Sequence, residues 1–584
     1  MKTINFSDYK ELFDKKSGDC AKAIIKALDD IKSFNEECTL VFEKDVYHIY
    51  KDFCQKRIYH TSNTDSVKFP EKTIGFLIEQ QQNLTIEGNG CEFIFHGDMM
   101  AFAVVKSKNI SLLNFSWDFA NPTTTQVTTV AVKGNTVSYE TPMGCDFELK
   151  NNKIKWICGV SPYTNKPYYV QKNSHECWCV VGSDPETKVK RRYSFVNTPF
   201  SRYYKIKKTG ERTFDVKYFF NAPNPWKKVG MVCEMCASKH RPTAGAFIWE
   251  SENTYIEKVN VHYLHGFGWL TQMSKNVTFK SCTFLPNSLG RKCTSYADLI
   301  HVSGAGGKIL IENCSFSDAH DDPINIHGTF TRVEKKLDDN TLTLKYVHSQ
   351  QGGFPQFHIG DEVVFYSRDT LAPLCEKEEV YTVTKAGLPG EDGNDLKSMT
   401  VSFDKKLPKE IEEKIANEPK YVAENITYTP EVEITNCDFS IIPTRGILCT
   451  TRKKVLIENN RFDNIAMACI FISNDSQNWY ESGPVRDMTI CNNEFFIRET
   501  GQTEWSDAPA VYVHPVTKGG KIPNEPVHKN ITIENNTIHL FHDKAFVIES
   551  VENLKVKNNK IICEDGQKGA IYEFKNCKNV ESDL

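Results

Sequence analysis

The sequence predicts an all-β chain wound as a parallel β-helix, with two small barrel-like β-domains inserted into its turns and a helix capping its N-terminal end. Three observations carry that reading. Segments of one pattern recur: "VTFKSCTF" (277–284), "ILIENCSF" (309–316), "VEITNCDF" (432–439), "VLIENNRF" (455–462), "MTICNNEF" (488–495), "ITIENNTI" (531–538) and "LKVKNNKI" (554–561). Each holds alternating apolar residues, a small polar corner and a further apolar residue, as a strand bending at a coil corner requires. The basic step is 23 residues, from Val261 to Phe284, Phe439 to Phe462 and Ile538 to Ile561. Two steps are far longer, 144 residues from Trp117 to Val261 and 123 from Phe316 to Phe439.

Residues 1–119 hold the end cap and the first coils. In "SGDCAKAIIKALDDIKSF", Ala23, Ile24, Leu28, Ile31 and Phe34 recur at helical spacing, with Ser17 or Asp19 placed to cap the start. An open β-helix end exposes strand edges and interior side chains, which such a helix would cover. "ISLLNFSW" (110–117) fits the repeat loosely. Residues 120–240 form the first inserted domain, where "TTVAVKGNTVSYETP" and "RTFDVKYFF" read as strands and turns. Residues 241–329 return to the coil with "TYIEKVNV" (254–261). Residues 330–428 form the second inserted domain, with "NTLTLKYV", "IGDEVVFYS" and "EVYTVTKAG", and residues 429–584 hold the C-terminal coils. Cys282, Cys314 and Cys437 share a repeat position that Asn460, Asn493, Asn536 and Asn559 take over, which predicts an interior thiol row and an asparagine ladder.

The formal net charge of −4 gives no nucleic-acid footprint. An apolar run of about 18 residues is missing, so no membrane span is expected. The start "MKTINFSDYKELFDKK" lacks a signal-peptide core, and the expected compartment is the cytoplasm, or outside the cell if a leader has been trimmed. Twenty cysteines in a chain this long read as buried thiols. Cys177-x-Cys179 and Cys233-x-x-Cys236 lack the regular spacing of a zinc ribbon or finger, and no metal is expected there.

"SDAHDDPINIHG" (317–328) carries the chemistry. Asp298, in "SYADLIHVSG", lies 23 residues before Asp321, one basic coil. The two should stack on successive coils with backbones roughly 5 Å apart, and Asp322 follows at once. Clustered carboxylates repel, which raises the proton affinity of at least one. A protonated acid beside an ionised base is the equipment of glycoside hydrolysis. A turn-capping role for the aspartate pair, and a metal site with His301, His320 and His327, are alternatives that spacing alone leaves open.

"ADLIHVSGAGGKILIENCSFSDAHDDPINIHGTF" resembles the catalytic segment of glycoside hydrolase family 110, and "WYESGPVRDMTICNNEF" (479–495) is similar to a family stretch. The resemblance spans about residues 20–580. It implies a right-handed parallel β-helix and an inverting exo-α-1,3-galactosidase, with Asp298 as general acid and Asp321 and Asp322 as the base pair. Inversion implies carboxyls about 6.5–9.5 Å apart; coil stacking alone leaves retention open. The implied substrate is a galactose-terminated oligosaccharide or glycan, branched as in the blood-group B determinant or linear, with no metal or organic cofactor. Candidate substrate-binding residues are His301, His320, Asn325, His327, Arg241, Trp249, Arg445 and Trp479, and Trp269 is a further ring that could stack on a sugar. Inserted β-domains also offer surfaces for a homodimer. The rival readings are another β-helix carbohydrate enzyme, such as a polygalacturonase-like hydrolase or a lyase, and a non-catalytic β-helix that binds glycans. A lyase acting on uronates would carry more basic residues near the carboxylates, and a binding module would not need stacked carboxylates.

Overall fold

The computed structural model describes residues 2–584 except 35, 172–176, 178, 195–197, 220–223, 237, 376–377, 392, 413–418, 499–507, 521–522, 542–543 and 565–568. Three parallel ladders run the length of a β-helix. One stacks Ala246–Trp249 and the starts of Trp269–Lys280, Ile300–Glu312 and Ile324–Lys336, then Ile447–Thr450 and Ile470–Ile472. A second passes through Glu431–Thr435, Lys454–Glu458 and Asp487–Cys491. The third passes through Asp438–Ile442, Arg461–Ile465 and Glu494–Ile497. Val261 pairs with Phe284, Phe439 with Phe462 and Ile538 with Ile561, the registers that the 23-residue step predicts.

Alternation sends one set of side chains inward. They form one core from Ile4 to Val556. Phe284, Phe316, Phe439, Phe462 and Phe495 stack face to face along the axis, with ring centroids 4.7–5.2 Å apart. The asparagine ladder is present. Asn460 Nδ2 donates to Asn493 Oδ1 at 3.0 Å, Asn493 to Asn536 at 3.0 Å and Asn536 to Asn559 at 2.9 Å. Each Oδ1 also accepts the backbone N–H of the preceding rung, so every buried corner amide is satisfied. The thiol row continues this pattern, with Cys314 N–H directed at Cys437 Sγ.

Helix α1 (Ala21–Ser33) buries Ala21, Ala23, Ile24, Ala27, Leu28 and Ile31 against the coil core. Asp19 Oδ1, rather than Ser17, accepts the Ala21 N–H at 2.9 Å. No helix among the described residues is long and apolar enough to cross a membrane.

Val261 also pairs with Trp117, and Phe439 with Phe316, so the chain leaves the helix and rejoins it one rung later at both long steps. Between the first pair lies a seven-stranded antiparallel sheet. Among the described residues it is open, edged by Lys190–Tyr193 and Tyr203–Lys208. The barrel expected here is not what these pairings form, because Asp146–Lys150, Lys153–Val160 and Pro167–Gln171 pair with one another as a separate sheet. Between the second pair, six antiparallel strands close a cycle. It runs from Ile324–Lys336 through Thr341–Lys345, Ser398–Phe403, Tyr381–Ala386, Glu362–Ser367 and Tyr421–Asn425 back to Ile324–Lys336.

Candidate active site

One corner of the coil, just before the first ladder, carries the acidic residues. Ile300 pairs with Ile324 and Ile324 with Ile447. Asp298 therefore stacks on Asp322, and Asp322 on Arg445. This corrects the expected partner of Asp298 by one residue. Lys275 opposes Gly306 but Val277 opposes Ile309, so Gly307 is an extra residue that makes this coil 24 residues long. Gly307 takes a φ of +65°, which glycine adopts without strain. Close stacking fixes the corner in turn: a Cβ on Gly268 would lie 2.7 Å from the Asp298 carbonyl oxygen.

The cleft above this corner has a volume of about 190 Å³. Asp298, Asp321 and Asp322 line it, together with His301, Asn325, Arg241, Arg445 and Trp479. Arg192, Asn63, Glu481, Thr444 and Met467 complete it. The aspartates are not left to repel one another. Arg192 Nη2 lies 2.9 Å from Asp321 Oδ1 and Arg241 Nη2 3.0 Å from Asp321 Oδ2. Arg445 grips Asp322 through Nε at 3.0 Å, Nη2 at 2.6 Å and its backbone N–H at 3.2 Å. Such forked guanidinium–carboxylate contacts fix orientation as well as charge.

Proton affinities separate accordingly. Burial, then the Asp321 charge, pushes Asp298 well above the usual carboxylate range. Burial also raises Asp321, but Arg192, Arg241 and Arg445 outweigh it and hold this group near 2. Burial raises Asp322 to about 7 against the pull of Arg445, helped by the Asp321 and Asp298 charges. Proton affinity is thus raised at Asp298 and lowered at Asp321 within the same cleft.

Other predicted residues lie outside the cleft. Trp249 packs against Tyr59 and Phe247, with ring centroids 5.6 and 6.0 Å away, and Trp269 is a core ring 5.1 Å from Trp117. The causes differ: Trp269 is level with Ile300 but faces the coil core, and Trp249 ends its strand level with Gln272 and Ser303, away from the Asp298 corner. His320 points away, its Nε2 2.6 Å from Glu234 and its Nδ1 3.2 Å from Cys236 Sγ. His327 lies fully buried behind His301. Trp479 sits at the rim, 38% exposed and packed at a tilt against His348 with centroids 4.2 Å apart. Asn325 Oδ1 is buried with no hydrogen-bond partner among the described residues.

Two clusters have metal-ligand composition: Glu234, Cys293 and His320, and His301, His327 and Glu481. In the first, the Lys190 ammonium already supplies a cation, 3.0 Å from Glu234 and from Asp318. In the second, the two Nε2 atoms are 3.0 Å apart, a hydrogen-bond separation. Cys177, Cys179, Cys233 and Cys236 lie in the apolar core of the first insertion.

Arg192, Asn63 and Glu481 escaped the sequence reading. Arg192 comes from the first insertion and Asn63 from an N-terminal loop, and no spacing ties either to Asp321. Glu481 lies within the quoted "WYESGP" stretch, next to the selected Trp479, so a signal for it existed.

No protein-family model matches the chain. An alpha-1,3-galactosidase A of Streptomyces avermitilis is 35% identical over 556 residues, covering 94% of this chain and 85% of the relative. The chain belongs to the alpha-1,3-galactosidase family. Two Bacteroides thetaiotaomicron members, an alpha-1,3-galactosidase A at 31% identity and an alpha-1,3-galactosidase B at 30%, cover 93% and 92% of the chain and 89% and 83% of their own lengths. Among solved structures, a family 28 exopolygalacturonase of Yersinia enterocolitica overlays 100% of this chain and 78% of its own. Its TM-score of 0.39 and 10% identity are too remote to bear on this family's chemistry.

Proposed function

We propose that the protein is an exo-acting α-1,3-galactosidase that hydrolyses terminal α-1,3-linked galactose from glycans with inversion. One observation carries this reading: one cleft gathers three carboxyls of which Asp321 is held by Arg192 and Arg241 and Asp322 by Arg445, while Asp298 meets His301, a setting that raises the proton affinity of Asp298 and lowers that of Asp321. In this reading Asp298 protonates the leaving oxygen. The Asp321–Asp322 pair takes the proton of a water that attacks the anomeric carbon from the opposite face. Arg192, Arg241 and Arg445 balance the pair's charge before the reaction, so little reorganisation is needed during it. The small cleft favours one terminal sugar over a chain passing through, and Asn325 Oδ1 offers an acceptor for a sugar hydroxyl. The names of the relatives supply the linkage. In this reading residues 120–240 and 330–428 are inserted domains that wall the cleft, and α1 is an end cap.

The test is galactose release from linear and branched α-1,3-galactosyl oligosaccharides, followed by proton NMR. The expected first product is β-galactose. Release of α-galactose first would replace inversion by a covalent intermediate. Activity abolished by a chelator and restored by a divalent ion would replace the carboxylate mechanism, and inertness on every α-1,3-galactoside would remove the assignment.

A further inference from the structure

Asp298, His301 and His327 form a buried chain whose hydrogen positions follow from one end. His327 Nδ1 is 2.6 Å from the Gly328 carbonyl oxygen, which can only accept, so this nitrogen carries the hydrogen. In a neutral ring, His327 Nε2 is then a bare lone pair. His301 Nε2, 3.0 Å away, donates to it. His301 Nδ1 is bare in its turn, and its partner Asp298 Oδ2, at 2.7 Å, must donate. A carboxyl donates only when protonated. We propose that His327 and His301 are positioning residues that keep the catalytic proton on Asp298 Oδ2 by fixing each ring's tautomer in sequence. The inference rests on Asp298 being the acid of the reaction proposed above.

Asp298 also faces Asp321, Arg241, Glu481 and Arg445, and His301 faces Glu481, Arg241, Asp322 and Asp321. Burial keeps both rings neutral, with His301 lowered to about 4. Glu481 opposes the assignment, its Oε1 lying 3.4 Å from His327 Nε2. It would favour a second state with the same proton count. In that state Asp298 passes its proton to His301 Nδ1 as the His301 Nε2 hydrogen moves to His327 Nε2. The result is a buried imidazolium and a buried Asp298 carboxylate, two desolvated charges in place of none. His327 does not line the cleft and is fully buried, so it acts on the reaction through its neighbours: through His301 towards Asp298, and through Glu481 at the cleft wall.

Nitrogen-15 NMR of the histidines in the full-length protein, with pH–rate profiles, tests this. The wild type at neutral pH is expected to show unprotonated His301 Nδ1 and His327 Nε2. His327→Phe removes the acceptor and lets His301 turn an Nδ1 hydrogen towards Asp298. The basic limb of kcat/KM then moves to lower pH, and kcat on an α-1,3-galactosyl disaccharide falls roughly tenfold to hundredfold with little change in KM. His327→Gln, whose side-chain oxygen can accept, recovers most of that loss. A protonated His301 Nδ1 or a cationic His327 in the wild type overturns the proposal. So does a folded His327→Phe protein with an unmoved basic limb. Should that variant not fold, the wild-type tautomers decide alone. Absence of any galactosidase activity would remove the functional reading while leaving the tautomers measurable.

Discussion

Asp298 and Asp321 differ by surroundings alone. Both are buried aspartates, yet Asp321 is ion-paired to Arg192 and Arg241 at 2.9 and 3.0 Å while the Asp298 carboxyl meets His301 at 2.7 Å. Asp298→Asn should cost about 10²–10⁴-fold on a natural disaccharide and less on an aryl galactoside, whose leaving group needs little protonation. Asp321→Asn should impair both substrates alike, and initial rates on the two substrates distinguish the roles. Stability should diverge as well. Asp298 has a raised folded-state proton affinity, so folding takes up a proton and its contribution worsens as pH climbs above about 4. Asn at that position is indifferent to pH and can donate to His301. Asp298→Asn should therefore raise the melting temperature at pH 7 by on the order of 1–3 °C, with the gain vanishing near pH 4. Asp321→Asn should lower it, because the buried Arg241 and the half-buried Arg192 guanidinium groups lose their anion. Calorimetry of both variants across that pH range checks the sign.

The corner asparagines show how the coils are held, and they could be read in advance. The 23-residue step places Asn460, Asn493, Asn536 and Asn559 in one column, and a column of buried amides has few ways to be satisfied except by bonding along the axis. Asn493→Ala leaves the buried Asn460 N–H without its acceptor and takes the side-chain donor from the Ile457 carbonyl, since both bond to the Asn493 side chain. The expected loss is about 2–4 kcal/mol in denaturant unfolding. Asn493→Cys should cost less, because sulfur can accept as Cys437 does from the Cys314 N–H. A cysteine variant no better than alanine would count against the ladder as the source of the effect. The same period misplaced Asp298 by one residue, because the additional Gly307 is a local event that leaves no mark on the repeat. Trp249 and Trp269 misled because ring chemistry alone gives neither the face nor the level of a side chain: Trp269 faces the coil core and Trp249 lies at the far end of its strand. Glu481 was legible in composition but not in role, since its strand, Glu481–Ser482, reaches the site by pairing antiparallel with Gly328 and Thr329, outside the repeat.

The cleft is finished by segments far apart in sequence. The helix supplies the acids, the first insertion supplies Arg192, an N-terminal loop supplies Asn63, and His348 of the second insertion backs Trp479. No repeat links these pieces, so only the fold could assemble them. Arg192 is the sharpest probe of this arrangement. It belongs to the edge strand Lys190–Tyr193, and besides Asp321 it donates to the His320 carbonyl through Nε at 3.1 Å and Nη2 at 2.7 Å. The insertion therefore grips the same corner that carries the reacting carboxylates. Arg192→Met keeps much of the side-chain volume and removes the charge. Asp321 then loses the largest influence opposing its burial, and its proton affinity rises. Asp321 and Asp322 titrate together, so the rise belongs to the pair. A base must be unprotonated to act, and activity climbs as pH passes the pair's upper value, near 7 in the wild type. In Arg192→Met that acid limb should move to higher pH by about one unit or more, while the basic limb, set by Asp298, moves less. Galactose-release rates across the pH range, on protein whose circular dichroism matches the wild type, decide the matter. An unmoved acid limb would mean that the insertion merely shields the cleft and does not set the charge of its base.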